Sequence, residues 1–398
     1  MSDFAVLGTS CAAKFNFVGG SHQCQTSTRI LPRTFRVCAD VSHLYRVAVF
    51  SHAFTPIAYF SCDIRLSWGR KRASILRCVP DVGLFSHFMN IVDLRQTTVR
   101  QIEPLLDEEA VHWRDELHWD YRGALELIKR FLEARALSGC VAYESGVATG
   151  YSFYVLEEHK GLIGGLYASS RFDQTAIARR MLEEMLYSMR AIPHVTRIEA
   201  QLMPFGGPVD KPLTEQGFRL YTRQFMLLDL HKPMDFRISA TTGLRFSRWH
   251  DRYFDPCAKL IYLAYADHVD GDINDQYRSK AGALRFLKNI ILLPGCGQFV
   301  PSASFVLHYP GSDDLVGAVL TSEVSPGVGH TTQVCVLPGH QGHGLGRALM
   351  LTAADALRGL KFQELTLTVT AENRTAVHLY EQLGFKTLKS FTAGVWPR

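Results

Sequence analysis

No stretch of the 398 residues is apolar for long enough to cross a bilayer. The most apolar run, Val47 to Cys62, is shorter than the roughly 20 residues a spanning helix needs and contains His52 and Pro56. The nine cysteines form no Cys-x-x-C pair and no Cys/His ligand spacing, so their scatter implies neither a metal site nor a disulfide framework. The acid-rich run Asp267–Arg278 lacks the D-x-D-x-D-G order of a calcium loop. Charge of one sign is also scarce. The net +5 arises upstream, where residues 1–88 hold ten Lys and Arg against four Asp and no Glu. The other 310 residues carry 33 bases and 34 acids, which gives no case for a nucleic-acid partner. The expected setting is cytoplasmic, with no membrane partner.

What the chain does have is apolar content, 47%, enough to fill two cores over this length. It also has one glycine-rich turn, Gln341-Gly342-His343-Gly344-Leu345-Gly346-Arg347. Three glycines in five positions allow backbone N–H groups to face an anion. A helix is predicted at once, because Leu345, Ala348, Leu349, Thr352, Ala353, Ala356 and Leu357 recur at helical spacing. Its first turn offers unpaired N–H donors and the positive end of the dipole. A P-loop would follow its last glycine with Lys-Ser/Thr, and Arg347-Ala348 stand there instead. The G-x-G-x-G spacing also departs from the G-x-G-x-x-G of a dinucleotide fold.

A third reading takes in more of the chain. The strand Thr331–Leu337 is followed by Pro338, Gln341 and the glycines; then come the strand Leu365–Val369, Asn373, Ala376, Tyr380 and Gly384-Phe385. This order resembles the GNAT superfamily of acyl-CoA-dependent N-acetyltransferases, closely over about 331–386 and in element order over about 236–398. Upstream, Leu213-Thr214-Glu215-Gln216-Gly217-Phe218 echoes Leu379-Tyr380-Glu381-Gln382-Leu383-Gly384-Phe385. The predicted fold is therefore α/β, with two tandem GNAT-like domains at 89–232 and 236–398. Each is a mixed, mostly antiparallel sheet flanked by helices. Residues 1–88, without clear periodicity, are expected to be a poorly ordered N-terminal extension.

The two copies differ where chemistry would occur. In place of the glycine turn the first has Ala168-Ser169-Ser170-Arg171-Phe172-Asp173-Gln174, and Thr214 aligns with Tyr380. The first copy is thus expected to be degenerate. In the second, the resemblance implies acetyl-CoA as co-substrate and a direct attack by a primary amine in a ternary complex. The acceptor is a small-molecule amine or a protein amino group, and a homodimer is among the expected assemblies.

By the same resemblance, the backbone of Val334, Cys335 and Val336 would pair with the pantetheine arm, and Gln341, Gly342, His343, Gly344, Leu345, Gly346 and Arg347 would hold the pyrophosphate. Asn373 would fix the cofactor or cap its helix, and Tyr380 would be the acid for the departing thiolate. Glu323 and His330 are both open as the base. No metal is expected. The segment 267–278 lies where the acceptor would be shaped, although turn and cap chemistry also accounts for such a run. The alternative to an enzyme is a non-catalytic acyl-CoA-binding or scaffold protein.

Overall fold

A computed structural model describes residues 89–203, 209–232, 243–293 and 295–397. The expected extension 1–88, and residues 233–235 of the expected linker, lie outside them. The first half runs β1 (Asn90–Asp93), α1 (Val99–Leu117), α2 (Arg122–Glu133), β2 (Ser138–Glu144), β3 (Val147–Glu157), β4 (Lys160–Ala168), α3 (Gln174–Arg190), β5 (Arg197–Gln201), α4 (Asp210–Glu215) and β6 (Arg219–Asp229). The second half repeats the plan as β7 (Arg245–Arg248), α5 (Phe254–Ala264), α6 (Val269–Ile273), α7 (Lys280–Leu292), β8 (Gln298–Phe299), β9 (Phe305–His308), β10 (Leu315–Ser325) and β11 (Val328–Val336). It continues as α8 (Leu345–Gly359), β12 (Glu364–Thr370), α9 (Arg374–Leu383) and β13 (Lys386–Trp396).

The strands join in one sheet of order β1-β2-β3-β4-β5-β13-β6-β12-β11-β10-β9-β7, with β8 alongside β10. The sequence divides the halves at 232–236, but in space they exchange their last strands. The C-terminal β13 lies antiparallel between β5 and β6, and β6 lies antiparallel between β13 and β12. Burial gives the reason. Met226, Leu228 and Leu230 fill the second core, whereas Phe225 and the distant Phe391 fill the first. A strand apolar on both faces is stable only with neighbours on both sides and layers above and below. One face of the second half carries α8 and α9, with Leu349, Leu357 and Leu383 against Val319, Leu365 and Leu367. The other carries α5 and α7, with Ile261, Phe286 and Ile290 against Val306, Ala318 and Leu320.

Each half has one parallel pair, β4 with β5 and β11 with β12, and each pair is short. Pairing of β11 with β12 covers Val328↔Glu364 to Thr331↔Leu367, after which the two strands no longer pair with each other. The matching pair covers Lys160↔Arg197 to Ile163↔Ala200. A register shift leaves Thr332 as the extra residue on β11, and another leaves Gly164 as the extra residue on β4. Such a bulge bends its strand and increases its twist, which helps part it from a parallel neighbour. The repeat thus holds at the level of backbone irregularities.

Each half also lays the connection between its first two long helices on the other half. Trp119 meets His330 at 4.9 Å between ring centres, Asp120 N–H donates to Val324 O at 2.9 Å, and His118 Nδ1 lies 2.6 Å from Glu364 Oε2. In the opposite direction, Lys160 pairs with Asp275, Asp275 N–H donates to Glu199 at 3.1 Å, and Gln276 Nε2 donates to Glu157 at 3.1 Å. Burial opposes the charge on Lys160, but Glu199, Asp275 and Glu157 outweigh it and raise its pKa. Among the described residues, no helix is long and apolar enough to cross a membrane.

Candidate active site

The site begins where β11 and β12 part. Pro338–His340 form a short 3-10 turn after β11, and Gln341 Nε2 reaches back to donate to Val336 O at 3.0 Å. The chain then passes through Gly342 at φ +78° and Gly344 at φ +75°, both left-handed conformations that favour glycine. A Cβ built on either residue would meet no protein atom within 4 Å, so the turn borders open space. Gly344 is the N-cap of α8 and supplies no side-chain acceptor, and no acidic residue lies in the helix's first turn. His343 is exposed, Leu345 is buried, and Gly346 and Arg347 are half-buried in that first turn. An anion could therefore approach the helix N-terminus without displacing a carboxylate.

The same place in the first half is filled. Asp173 caps α3 by accepting the Ala176 N–H at 3.0 Å. Glu108, from α1, accepts the Ser170 N–H at 2.8 Å, the Ser169 hydroxyl at 2.8 Å and the Ser170 hydroxyl at 3.2 Å. Burial pushes the Glu108 carboxyl up, but hydrogen bonds from Ser170 N–H and from the Ser169, Tyr167 and Ser170 hydroxyls prevail and lower its pKa. Thr214, at the position echoing Tyr380, is exposed and bonds back to Asp210 O at 2.8 Å.

Between the parted strands, polar side chains occupy the backbone. Gln333 Oε1 accepts the Val334 N–H at 3.1 Å and the Tyr265 hydroxyl at 2.9 Å, and the same hydroxyl lies 3.3 Å from Val334 O. Gln333 is 5% exposed, and its Nε2 has no partner. Cys335 faces the α5 and α7 core and Val336 the α8 core; burial pushes the Cys335 thiol up to about 12. An amide-bearing chain entering here would exchange hydrogen bonds with these side chains.

Asn373 caps α9, its Oδ1 accepting the Ala376 N–H at 3.2 Å, which turns its Nδ2 to His268 Nε2 at 3.2 Å. The Asp270 N–H lies 3.1 Å from the other ring nitrogen of His268. A neutral imidazole accepts at only one nitrogen, so these two donors compete. The Asp270 carboxylate lies 3.5 Å from His268 Nδ1, accepts from the Thr370 hydroxyl, and sits 3.6 Å from the Arg223 guanidinium. Tyr380, from α9, is 6% exposed against Phe385, and its hydroxyl has no protein partner among the described residues. Burial raises its pKa well above the usual phenol value, with Asp270 and Cys335 adding to the shift.

The two residues read from sequence as bases are each held by other contacts. Glu323 opposes Gly329 near the start of β11, and its Oε1 accepts the Gly327 N–H of the β10–β11 turn at 3.0 Å. His330 is stacked on Phe225 at 5.7 Å, beside Trp119, with Nδ1 2.9 Å from Thr366 Oγ1. Burial, with Arg223 adding to it, lowers the His330 pKa to about 3. Sequence reasoning flagged the run 267–278 but did not single out Asp270. Glu108 and Arg223 passed unnoticed, because each acts across more than forty residues of separation that no local pattern reports.

Comparison with known proteins agrees with this geometry. Residues 282–385 match the family model described as the acetyltransferase (GNAT) family. The chain is 32% identical over 105 residues to a mycothiol acetyltransferase of Renibacterium salmoninarum, an alignment covering 25% of this chain and 31% of that protein. It is 48% identical over 50 residues to a streptothricin acetyltransferase of Streptomyces lavendulae, covering 13% and 26%. The chain thus spans about a third or less of the length of these curated relatives. A GCN5-related N-acetyltransferase from Sphaerobacter thermophilus superimposes with a TM-score of 0.56 at 14% identity, over 77% of this chain and 95% of that one. A tandem GNAT protein from the clavulanic acid biosynthesis pathway gives 0.55 at 14%, over 77% and 98%. Residues 282–385 of the second half are therefore similar to the GNAT acetyltransferase family, and the described chain shares its fold with a tandem GNAT protein.

Proposed function

We propose that the chain is an acetyl-CoA-dependent N-acetyltransferase with one active site, in its second half. The observation that carries this reading is the open glycine turn at the N-terminus of α8, beside parted strands. Gly342 to Arg347 would hold the pyrophosphate there, and the edge of Val334 to Val336 would hold the pantetheine amides.

In the reaction proposed, a neutral amine attacks the thioester carbonyl. The N–C bond forms, the C–S bond breaks, and the amine's extra proton goes to a base. Tyr380 suits the acid. Its phenol keeps its proton in the resting site, has no protein partner among the described residues, and can release that proton to the thiolate. His268 suits the base better than Glu323 or His330, because it lies between Asp270 and Asn373 at the parted strands. Glu323 is committed to a turn, and His330 is enclosed by aromatic rings.

The first half, in this reading, is a degenerate copy whose anion position is filled by Glu108. It completes the acceptor wall instead, contributing Arg223 and anchoring the segment that carries His268 and Asp270. Acceptor amines of small molecules and of proteins both fit these elements. Thiol release from acetyl-CoA, measured across a panel of amines, tests the proposal. Amine-dependent release that falls in Tyr380→Phe supports it. Tight acetyl-CoA binding with no release from any amine would favour the non-catalytic alternative.

A further inference from the structure

We infer that Arg223 makes the acceptor site selective for an amine that also carries a carboxylate, an amino acid or a compound with that pairing of groups. This rests on the second half being the transferase site. Arg223 comes from the first half but lies in β6 opposite Thr370 of β12 and Phe391 of β13, at the centre of the strand exchange. Its side chain is 13% exposed. Its Nε is buried without a partner, and its one charged neighbour, Asp270, is 3.6 Å away, beyond hydrogen-bond distance. No described residue accepts a hydrogen bond from this guanidinium. Five donors in a rigid planar fork, held at the sheet and unspent, are an uncommon arrangement for a purely structural arginine.

The neighbours narrow the ligand further. The guanidinium matches a carboxylate bidentately, and Asp270 beside it suits the amine. Together the two side chains carry no net charge, so a zwitterion can replace their mutual attraction one charge at a time. A dianionic phosphate would instead meet the Asp270 carboxylate uncompensated. Asp270 touches His268 and Thr370 and acts on the Tyr380 phenol, which places the amine end beside the proposed acid and base. On the same side of the sheet, Phe225, His330 and Trp119 close off solvent near the guanidinium, and a drier setting sharpens discrimination between charged and uncharged ligands.

The test is thiol release from acetyl-CoA with pairs of amines that differ only in a carboxylate: L-phenylalanine with phenethylamine, L-lysine with cadaverine, and L-methionine with 3-(methylthio)propylamine. The wild-type chain is expected to favour the carboxylated member at least tenfold in kcat/KM, an arm that needs no variant. Arg223→Gln should abolish that preference by raising KM for the carboxylated members at least tenfold more than for their uncarboxylated partners, with acetyl-CoA affinity unchanged. Arg223→Lys, which keeps the charge but loses the fork, should restore part of it. Turnover without preference, or a preference that survives in Arg223→Gln, overturns the inference while leaving the transferase reading intact. No turnover of any pair, with acetyl-CoA bound, overturns the inference and leaves the transferase reading to the wider amine panel.

Discussion

Replacing Gly344 by glutamate and, in parallel, by glutamine separates charge from shape at the proposed pyrophosphate position. Gly344 has φ +75°, so either side chain incurs the same left-handed backbone strain, about 1–2 kcal/mol of stability. A Cβ at this position meets nothing within 4 Å, so neither substitution begins with a clash. Both variants should therefore fold, melt a few degrees lower, and lose some affinity through bulk alone. The difference between them is one negative charge. A unit charge about 5 Å from one phosphate charge costs between about 1 and 3 kcal/mol as the effective dielectric falls from 80 to 20, a further loss of roughly 5- to 150-fold for the glutamate. Calorimetric titration with acetyl-CoA measures both constants. Because the site is at the surface, the gap between the variants should shrink as salt is raised from about 0.05 M to 0.5 M. Equal affinities for the two variants at low salt would refute the placement of the anion at this helix end.

Tyr380→Phe should lower kcat on the order of 100-fold with acetyl-CoA affinity nearly unchanged, as removal of a general acid does; unchanged turnover would remove Tyr380 from that role. His268→Gln should lower kcat by a similar order with acetyl-CoA affinity retained, whereas unchanged turnover would exclude His268 as the base. In the first half, burial raises the Glu109 carboxyl from 4.5 to about 7, against hydrogen bonds from Tyr151 and Trp113. The folded state then binds the proton more tightly than the unfolded state. Stability should fall as pH rises from about 4.5 to 7, by on the order of 3 kcal/mol, and level off above. Glu109→Gln should remove that slope in urea titrations at pH 5 and pH 8, and an unchanged slope would contradict the assignment.

Local pattern made most of the secondary structure legible. The strand read over Leu365–Val369 lies within β12, and the glycine turn runs straight into α8, as the helical spacing from Leu345 predicts. These features are written in neighbouring residues. The exchange of β6 and β13 is not, because an alternating apolar strand fits either sheet equally well and only long-range packing chooses. The six-residue α4 was missed for a related reason, being too short for a helical period to stand out. Motif spacing singled out Gly342, Gly344, Asn373 and Tyr380 for the candidate site. Glu108 could not be found that way, since filling the first half's anion position depends on α1 crossing a turn more than sixty residues later. Nor could Arg223, since its place at the site depends on β6 pairing with β12.

The central claim is that one acetyl-CoA binds, and that it binds in the second half. Calorimetric titration of the wild-type chain and of Gly344→Glu measures this most directly. The account predicts one site per chain in the wild type and, in the variant, that single site weakened by more than about 5-fold with no second site appearing, because Glu108 fills the matching position of the first half. Two sites per chain, or binding that persists unchanged in Gly344→Glu, would contradict it.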